Sequence, residues 1–304
     1  MNRRSFIKTS GGAVCIMSCP SMTLWADSPV RPVRFGMITD FHYADRPQLG
    51  SRFYSQSKQK LEEAIRIFNQ SHLDFIVELG DLKDQDDPPS SSRTLGYVDE
   101  IEAVMQQFHG PVYHVLGNHD MDSISKQDFL SYTRNHGAAA GKNHYSFMMN
   151  GLKFIVLDAN YNADGTDYAS GNFDWTYAQI PDSQLKWLQA ELAEGDGPVI
   201  IFVHQLLDWF SGAPEALTIK NAQAAVEILE KSRRVLAVFQ GHFHEGNRSE
   251  RNGIHFHTLN AAVEGSLPEN NSFAIVEIDK ALHIHLSCYY DNQLIEYNMP
   301  YVEQ

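Results

Sequence analysis

Cysteine is scarce in this chain of 304 residues: there are three, and Cys15 and Cys19 fall within the first twenty positions. The remainder carries a single thiol, Cys288, which excludes an intrachain disulfide framework and any zinc site built on thiolates. Positive charge is also in deficit. Against 38 Asp and Glu stand 24 Lys and Arg, for a formal net charge of −14. Polyphosphate backbones are gripped by Lys/Arg clusters, so nucleic acid is not expected as a partner. No segment is long and apolar enough to span a membrane, and no internal repeat is visible. With 43% hydrophobic and 20% charged residues the chain can bury a full core, which excludes disorder, collagen and coiled coil. The length suits one large α/β domain.

What is present begins with an address. Residues 2–8 read Asn-Arg-Arg-Ser-Phe-Ile-Lys, and a weakly apolar stretch rich in Gly, Ser and Met runs on to Ala26. This resembles a twin-arginine export signal with Arg3 and Arg4 as its pair. The resemblance implies a route for folded proteins, which suits one that acquires metal before export, and a periplasmic or extracellular location. Cleavage after Ala26 would leave 27–304 as a single domain. It would remove three basic residues and no acid, taking the net charge to −17. A second option reads Ile16-Met17-Ser18-Cys19 as a poor lipid-attachment motif, with Cys19 as the anchor.

Beyond that segment, strand-like and helix-like patterns alternate. Strands are expected at Val33–Thr39, Asp74–Leu79, Pro111–Leu116, Val199–Val203 and Val235–Phe239. Helices are expected at Ser57–Gln70, Tyr97–Phe108, Ser183–Leu192 (capped by Asp182 or Ser183) and Asn221–Glu230. Asn143–Met149 and Leu152–Leu157 flank Asn150-Gly151, a strong hairpin signal. Asp84–Ser92 reads as a loop, Asp158–Asp182 as a long functional loop, and Ile254–Leu259, Phe273–Ile278 and Leu282–Leu286 as closing strands. Such alternation gives an α/β fold with antiparallel additions.

The informative feature is where polar residues fall. Predicted strands run directly into Asp40-Phe41-His42, Gly80-Asp81, Gly117-Asn118-His119-Asp120, His204 and Gly241-His242-Phe243-His244. Ligands bind at the carboxyl ends of strands in such sheets. Carboxylate, amide oxygen and imidazole suit Mn, Zn or Fe. Asp40, His42, Asp81, Asn118, His204, His242 and His244 are too many donors for one tetrahedral zinc. They fit two ions about 3.5–4 Å apart that share a carboxylate. The glycines at 80, 117 and 241 would let the backbone pass close to them.

These five blocks, in this order over residues 33–280, resemble the calcineurin-like metallophosphoesterases. The resemblance implies a four-layer αββα sandwich of two mixed sheets. It implies that Asp40, His42 and His244 hold one metal, that Asn118, His204 and His242 hold the other, and that Asp81 bridges. His119 would sit over the substrate phosphate, oriented by Asp120. A hydroxide shared by the ions would attack phosphorus, with His119 protonating the leaving group. One departure stands out: relatives often have His-x-Pro where this chain has His204-Gln205-Leu206. Tyr43, Arg52–Tyr54, Gln184–Leu188 and Asn260–Glu264 near Ser272-Phe273 resemble the manganese-dependent ADP-ribose/CDP-alcohol diphosphatases within the family.

The expected function is therefore hydrolysis of small phosphodiesters or nucleotide diphosphate esters. A phosphomonoesterase that scavenges phosphate is the alternative, and a metal-binding scaffold without activity is a third reading. Tyr43, Phe53, Tyr54, Trp209 and Phe210 are candidates for stacking on a base, with plain packing as the competing account. Asp158 is either a partner to a site residue or a turn residue, and Asp84 a partner to Asp81. His255/His257 and His283/His285 are expected to make ordinary hydrogen bonds along strands, and His109, His114 and His144 to be structural or solvated.

Overall fold

A computed structural model of the protein describes residues 30–138 and 140–304. The expected export signal, with Cys15 and Cys19, lies outside the described residues. In chain order the elements begin with β1 (Val33–Ile38), α1 (Ser57–Gln70), β2 (Phe75–Glu78), α2 (Ser91–Met105), β3 (Val112–His114) and α3 (Lys126–Tyr132). Next come β4 (Tyr145–Met149), β5 (Leu152–Val156), α4 (Asp182–Ala193), β6 (Val199–Phe202) and α5 (Ala222–Ser232). The chain closes with β7 (Val235–Gln240), β8 (Asn247–Arg251), β9 (Ile254–Thr258), β10 (Phe273–Ile278), β11 (Ile284–Tyr290) and β12 (Gln293–Met299).

The strands form two six-stranded sheets, ordered β12-β11-β10-β1-β2-β3 and β4-β5-β6-β7-β9-β8. In each, parallel strands lie beside antiparallel ones: β1, β2 and β3 are mutually parallel, as are β5, β6, β7 and β9. Period-two alternation sends Val33, Phe35 and Met37 inward from the first sheet to meet Leu152, Phe154 and Val156 from the second. Phe35 stacks on Phe75 at 4.8 Å between ring centroids and sets its edge against Phe154, Phe202 and Phe239. The opposite face of the first sheet is covered by α1, α2 and α3, through Leu61, Phe68, Ile101 and Phe129. That of the second is covered by α4 and α5, through Leu188, Val226 and Leu229. The result is the expected four-layer sandwich, with helices outside and sheets facing inside.

Departures from the expected elements have local causes. Helix α2 begins at Ser91, not Tyr97, because its first turn is polar and exposed and carries no apolar stripe. Helix α3 has seven residues and is announced only by a Ser125–Asp128 capping box. Strands β8 (Asn-Arg-Ser-Glu-Arg) and β12 are edge strands with largely exposed side chains, so neither shows a buried face in sequence. At α4 the residue before the helix is Pro181, and neither Asp182 nor Ser183 caps it. Asn150 and Gly151 adopt φ of 52° and 92°, the left-handed pair that a tight hairpin needs.

Of the histidines outside the motif blocks, His257 departs from the expected hydrogen bonding, with Nδ1 buried and unpartnered and Nε2 3.8 Å from Cys288 Sγ, while others take ordinary partners. His255 Nε2 lies 2.9 Å from the Pro300 carbonyl, His283 pairs with Asp279, and His285 with Asn298. His114 is buried between Glu102 and Glu78. Burial opposes its charge, but the two carboxylates push its pKa up to about 10.

Candidate metal centre

The parallel strands of both sheets deliver their carboxyl ends to one place. Main-chain hydrogen bonds lock those ends together: Asp40 N to Gly80 O at 2.9 Å, Gly241 N to His204 O at 3.0 Å, Ala262 N to Thr39 O at 3.2 Å. To aim side chains at a common point the backbone must turn abruptly. Asp40, His42, Asp81 and His242 therefore sit in the left-handed region, at φ of 53°, 46°, 58° and 66°. For residues with a Cβ this costs roughly 1–3 kcal/mol each and persists only where the surroundings enforce it. Two glycines make room. A Cβ on Gly117 would collide with the amide and carboxylate of Asp81, and one on Gly241 would collide with the Thr39 hydroxyl.

The seven expected donors come together. His244 Nε2 is 3.4 Å from Asp40 Oδ1, His42 Nε2 is 3.6 Å from Asp40 Oδ1 and 3.6 Å from Asp81 Oδ2, and His204 Nε2 is 3.2 Å from Asp81 Oδ2. Asp40, His42 and His244 form one triad able to hold a cation, and Asp81, His204 and His242 another. The far nitrogen of three imidazoles is tied to an oxygen that fixes the ring: His42 Nδ1 to Asp84 at 3.3 Å, His204 Nδ1 to the Leu79 carbonyl at 2.8 Å, His244 Nδ1 to Glu264 at 2.6 Å.

The donor set fits metal ions by an independent criterion. Asp40 Oδ1, both polar atoms of the Asn118 amide, His204 Nε2 and His242 Nε2 are buried without a hydrogen-bond partner. Buried polar groups are normally satisfied, so convergent orphans of this type call for a cation. Charge points the same way. Burial would lower the His204 pKa, but the Asp81 and Asp40 carboxylates raise it to about 10. Burial, reinforced by the neighbouring His204, drives His242 down to about 3, and the bond from His244 holds Glu264 at about 2. A divalent ion would take the place of the imidazolium that otherwise balances these carboxylates.

Above this floor opens a cleft of about 320 Å³. It is lined by His42, Asp81, Asn118, His242 and His244 below and by His119, Arg52, Trp175 and Leu217 around them. The profile of the calcineurin-like phosphoesterases matches residues 33–246, a span that contains every one of the seven donors. The chain belongs to that family. It is a metal-dependent phosphoester hydrolase. A manganese-dependent ADP-ribose/CDP-alcohol diphosphatase of Oryza sativa is 28% identical over 291 residues, covering 82% of this chain and 89% of the relative. The 3′,5′-cyclic adenosine monophosphate phosphodiesterase of Haemophilus influenzae is 27% identical over 235 residues, 75% of this chain and 75% of the relative. A dimetal phosphatase from Danio rerio shares the fold, with a TM-score of 0.76 and 22% identity over 90% of this chain and 100% of that one.

In this calcineurin-like phosphoesterase Asp120 does not orient His119. Its carboxylate accepts hydrogen bonds from the backbone amides of Gly117 (2.8 Å), Leu82 (3.0 Å) and Asp81 (3.2 Å), clamping two strand-end turns together. The His119 Nδ1 edge faces Asp84 and Asp122 instead, each at 3.6 Å. Asp122 is in turn paired with the buried Lys83. Asp84 thus serves His42 and His119, not Asp81. The acid that holds His244, Glu264, had no separate reading in the sequence, because it is delivered by a segment folded under the site: Val263 N bonds to Asp40 O at 3.0 Å. The candidate stacking aromatics do not line the cleft, and packing is the account that holds for them. Tyr43 packs on Tyr97, Tyr54 is buried beneath Arg46, and Trp209 and Phe210 pack under Arg251. The rings at the site are Trp175, 48% exposed, and Phe173, edge-on to His119 at 5.7 Å. Leu206, where relatives often have proline, is buried and its backbone pairs with Leu217 and Ile219, while Gln205 before it bonds to Asn160 at 2.6 Å.

Asp120→Ala should lower unfolding free energy by roughly 2–5 kcal/mol, the scale for leaving several buried amides without their acceptor. Urea unfolding checks this. A variant with wild-type stability and impaired turnover would restore Asp120 to His119.

Proposed function

We propose that the chain is a manganese-supported hydrolase of small nucleotide diphosphate esters, of the ADP-ribose and CDP-alcohol kind. The observation that carries this reading is the cleft. A floor of unpartnered metal-type donors is flanked by one guanidinium, Arg52, and one exposed indole, Trp175, in a space sized for a compact ester. The resemblance to the diphosphatase of Oryza sativa, which spans most of both chains, supports it. In this reading Asp40, His42 and His244 would hold one ion and Asn118, His204 and His242 a second, with the Asp81 carboxylate as a further ligand.

When bound, such ions supply Lewis acidity for phosphoryl oxygens and a water activated near neutral pH. The residues of the chain do the rest. Burial opposes charge on His119, but Asp84 and Asp81 raise its pKa well above the usual imidazole range, which suits it to donate a proton. With Nδ1 turned to Asp84 and Asp122, Nε2 is the nitrogen left to face a leaving oxygen. Arg52, whose Nε lies 3.6 Å from Glu264, can pair with a second phosphate. Trp175 offers a face to the base. The chain's net charge of −14 repels long polyanions and leaves the cleft to compact ones. The same Arg52 favours the second reading, a phosphomonoesterase, since a guanidinium can also cover the extra oxygen of a monoester.

Metal-stripped protein restored with Mn, Zn or Fe and assayed on ADP-ribose, a CDP-alcohol, bis-p-nitrophenyl phosphate and p-nitrophenyl phosphate separates these readings. Manganese-dependent turnover favouring the diphosphate esters and the diester is expected, and dominance of the monoester would replace the proposal with the phosphatase. His119→Ala should keep its manganese while turnover falls about 10²-fold or more. Loss of metal from that variant would remove the proton-donor role. We also place the protein outside the cytoplasm, on the strength of Arg3-Arg4 and the stretch behind it. Changing both arginines to lysine should leave the protein in the cytoplasmic fraction. Unchanged fractionation would reject the export signal.

A further inference from the structure

The segment between β5 and α4 supplies the cleft with Phe173 and Trp175, yet it contains no regular element beyond one bridge between Tyr161 and Asp167. Its position is set by contacts from elsewhere in the chain. Lys126, first residue of α3 and 5% exposed, donates to Asp158 Oδ2 at 2.7 Å, to Asp167 Oδ1 at 2.6 Å and to the Asn160 carbonyl at 3.1 Å. Its ammonium also lies 3.7 Å from the centre of the Tyr161 ring. Asn160 extends the network in two directions, donating to the Leu116 carbonyl at 2.7 Å and accepting from Gln205 at 2.6 Å. Those partners lie two residues before Asn118 and directly after His204. Farther along, Tyr168 is wholly buried in the apolar cluster of the first sheet's helices, although the segment starts and ends on the second sheet.

We propose that Lys126 is a positioning residue that holds residues 158–181 as a fixed wall of the cleft, and that this wall selects esters whose leaving group carries a base long enough to reach Trp175. The proposal deepens the reading of the cleft as a nucleotide-ester site and rests on it. A buried ammonium shared by two carboxylates and a carbonyl has one arrangement that satisfies all of them, so the segment has one pose. With the ammonium removed, Asp158, fully buried, loses its counter-charge and the wall loses its anchor. A wall that moves costs contact at its far end, where Trp175 stands, and leaves the floor of donors intact.

The test compares KM and kcat for ADP-ribose with the inhibition constant of inorganic phosphate, which needs only the floor. Lys126→Met should raise KM about tenfold, the scale of a lost stacking contact, with kcat and phosphate inhibition unchanged within about twofold. Asp167→Ala provides a milder variant, because Asp167 is 56% exposed and its loss leaves the Lys126–Asp158 pair in place. It should move KM in the same direction by a smaller factor. Lys126→Met combined with Trp175→Ala should be no worse than Trp175→Ala alone. Weakened phosphate inhibition in both single variants, or additive losses in the double variant, overturns the proposal. If the wild type prefers another ester, the nucleotide-ester reading falls, and the same comparison on that ester still decides the role of Lys126.

Discussion

Everything at this centre depends on backbone turns that polypeptides ordinarily avoid. Donors from two sheets can share a few ångströms only if each strand ends in a sharp reversal, and four of the seven candidate ligands pass through left-handed conformations to achieve it. The strain is spread over several residues and held by groups that do not face the cleft. Asp120 gathers three amides, the Thr39 hydroxyl and the His242 amide hold Asp40 Oδ2 at 2.7 and 3.0 Å, and Gly117 and Gly241 stand aside where a methyl group would collide. Behind these turns lies the aromatic seam between the sheets, whose burial offsets the distortion at its rim.

The electrostatic arrangement follows from the same geometry. The protein is acidic overall, yet its cleft draws together imidazoles, a guanidinium and a site for cations. Acids behind the rings, Asp84, Asp122 and Glu264, set the orientation of the histidines in front of them. The visible donors therefore define only half of the chemistry. The other half lies in which oxygen each ring leans on, and this is how His119 and His42 come to share Asp84 while facing different tasks.

The sandwich, and the convergence of seven candidate donor side chains at its strand ends, were legible in the sequence because both are written locally. Apolar alternation marks a strand facing a core, and a Gly/Asp/His cluster directly after it marks a strand end that meets a ligand. What was not legible depends on partners distant in the chain. Strands β8 and β12 exist because a neighbour offers hydrogen bonds, and their own side chains, largely exposed, carry no signal. Asp120 stands next to His119 in sequence and looks like its partner, but a short turn points the carboxylate at amides instead. Trp175 stood among the Gly, Asp and Asn of a loop with no motif around it, and the aromatics beside the motifs were packing residues. Position at strand ends predicted which side chains converge, and adjacency in sequence predicted their supporting contacts badly, because strand ends fix the former and supports arrive from any direction.

The centre also draws its candidate donors from distant parts of the chain: Asp40 lies near the start of the described residues, and His244 joins it from 204 positions later. Neither sheet alone owns a complete set. A cation held there would bind only chains whose two sheets have already docked in register, and would stabilise them by mass action over every partly assembled form. Metal loading would then act as an inspection step in the life of the molecule, marking the chains that have finished folding.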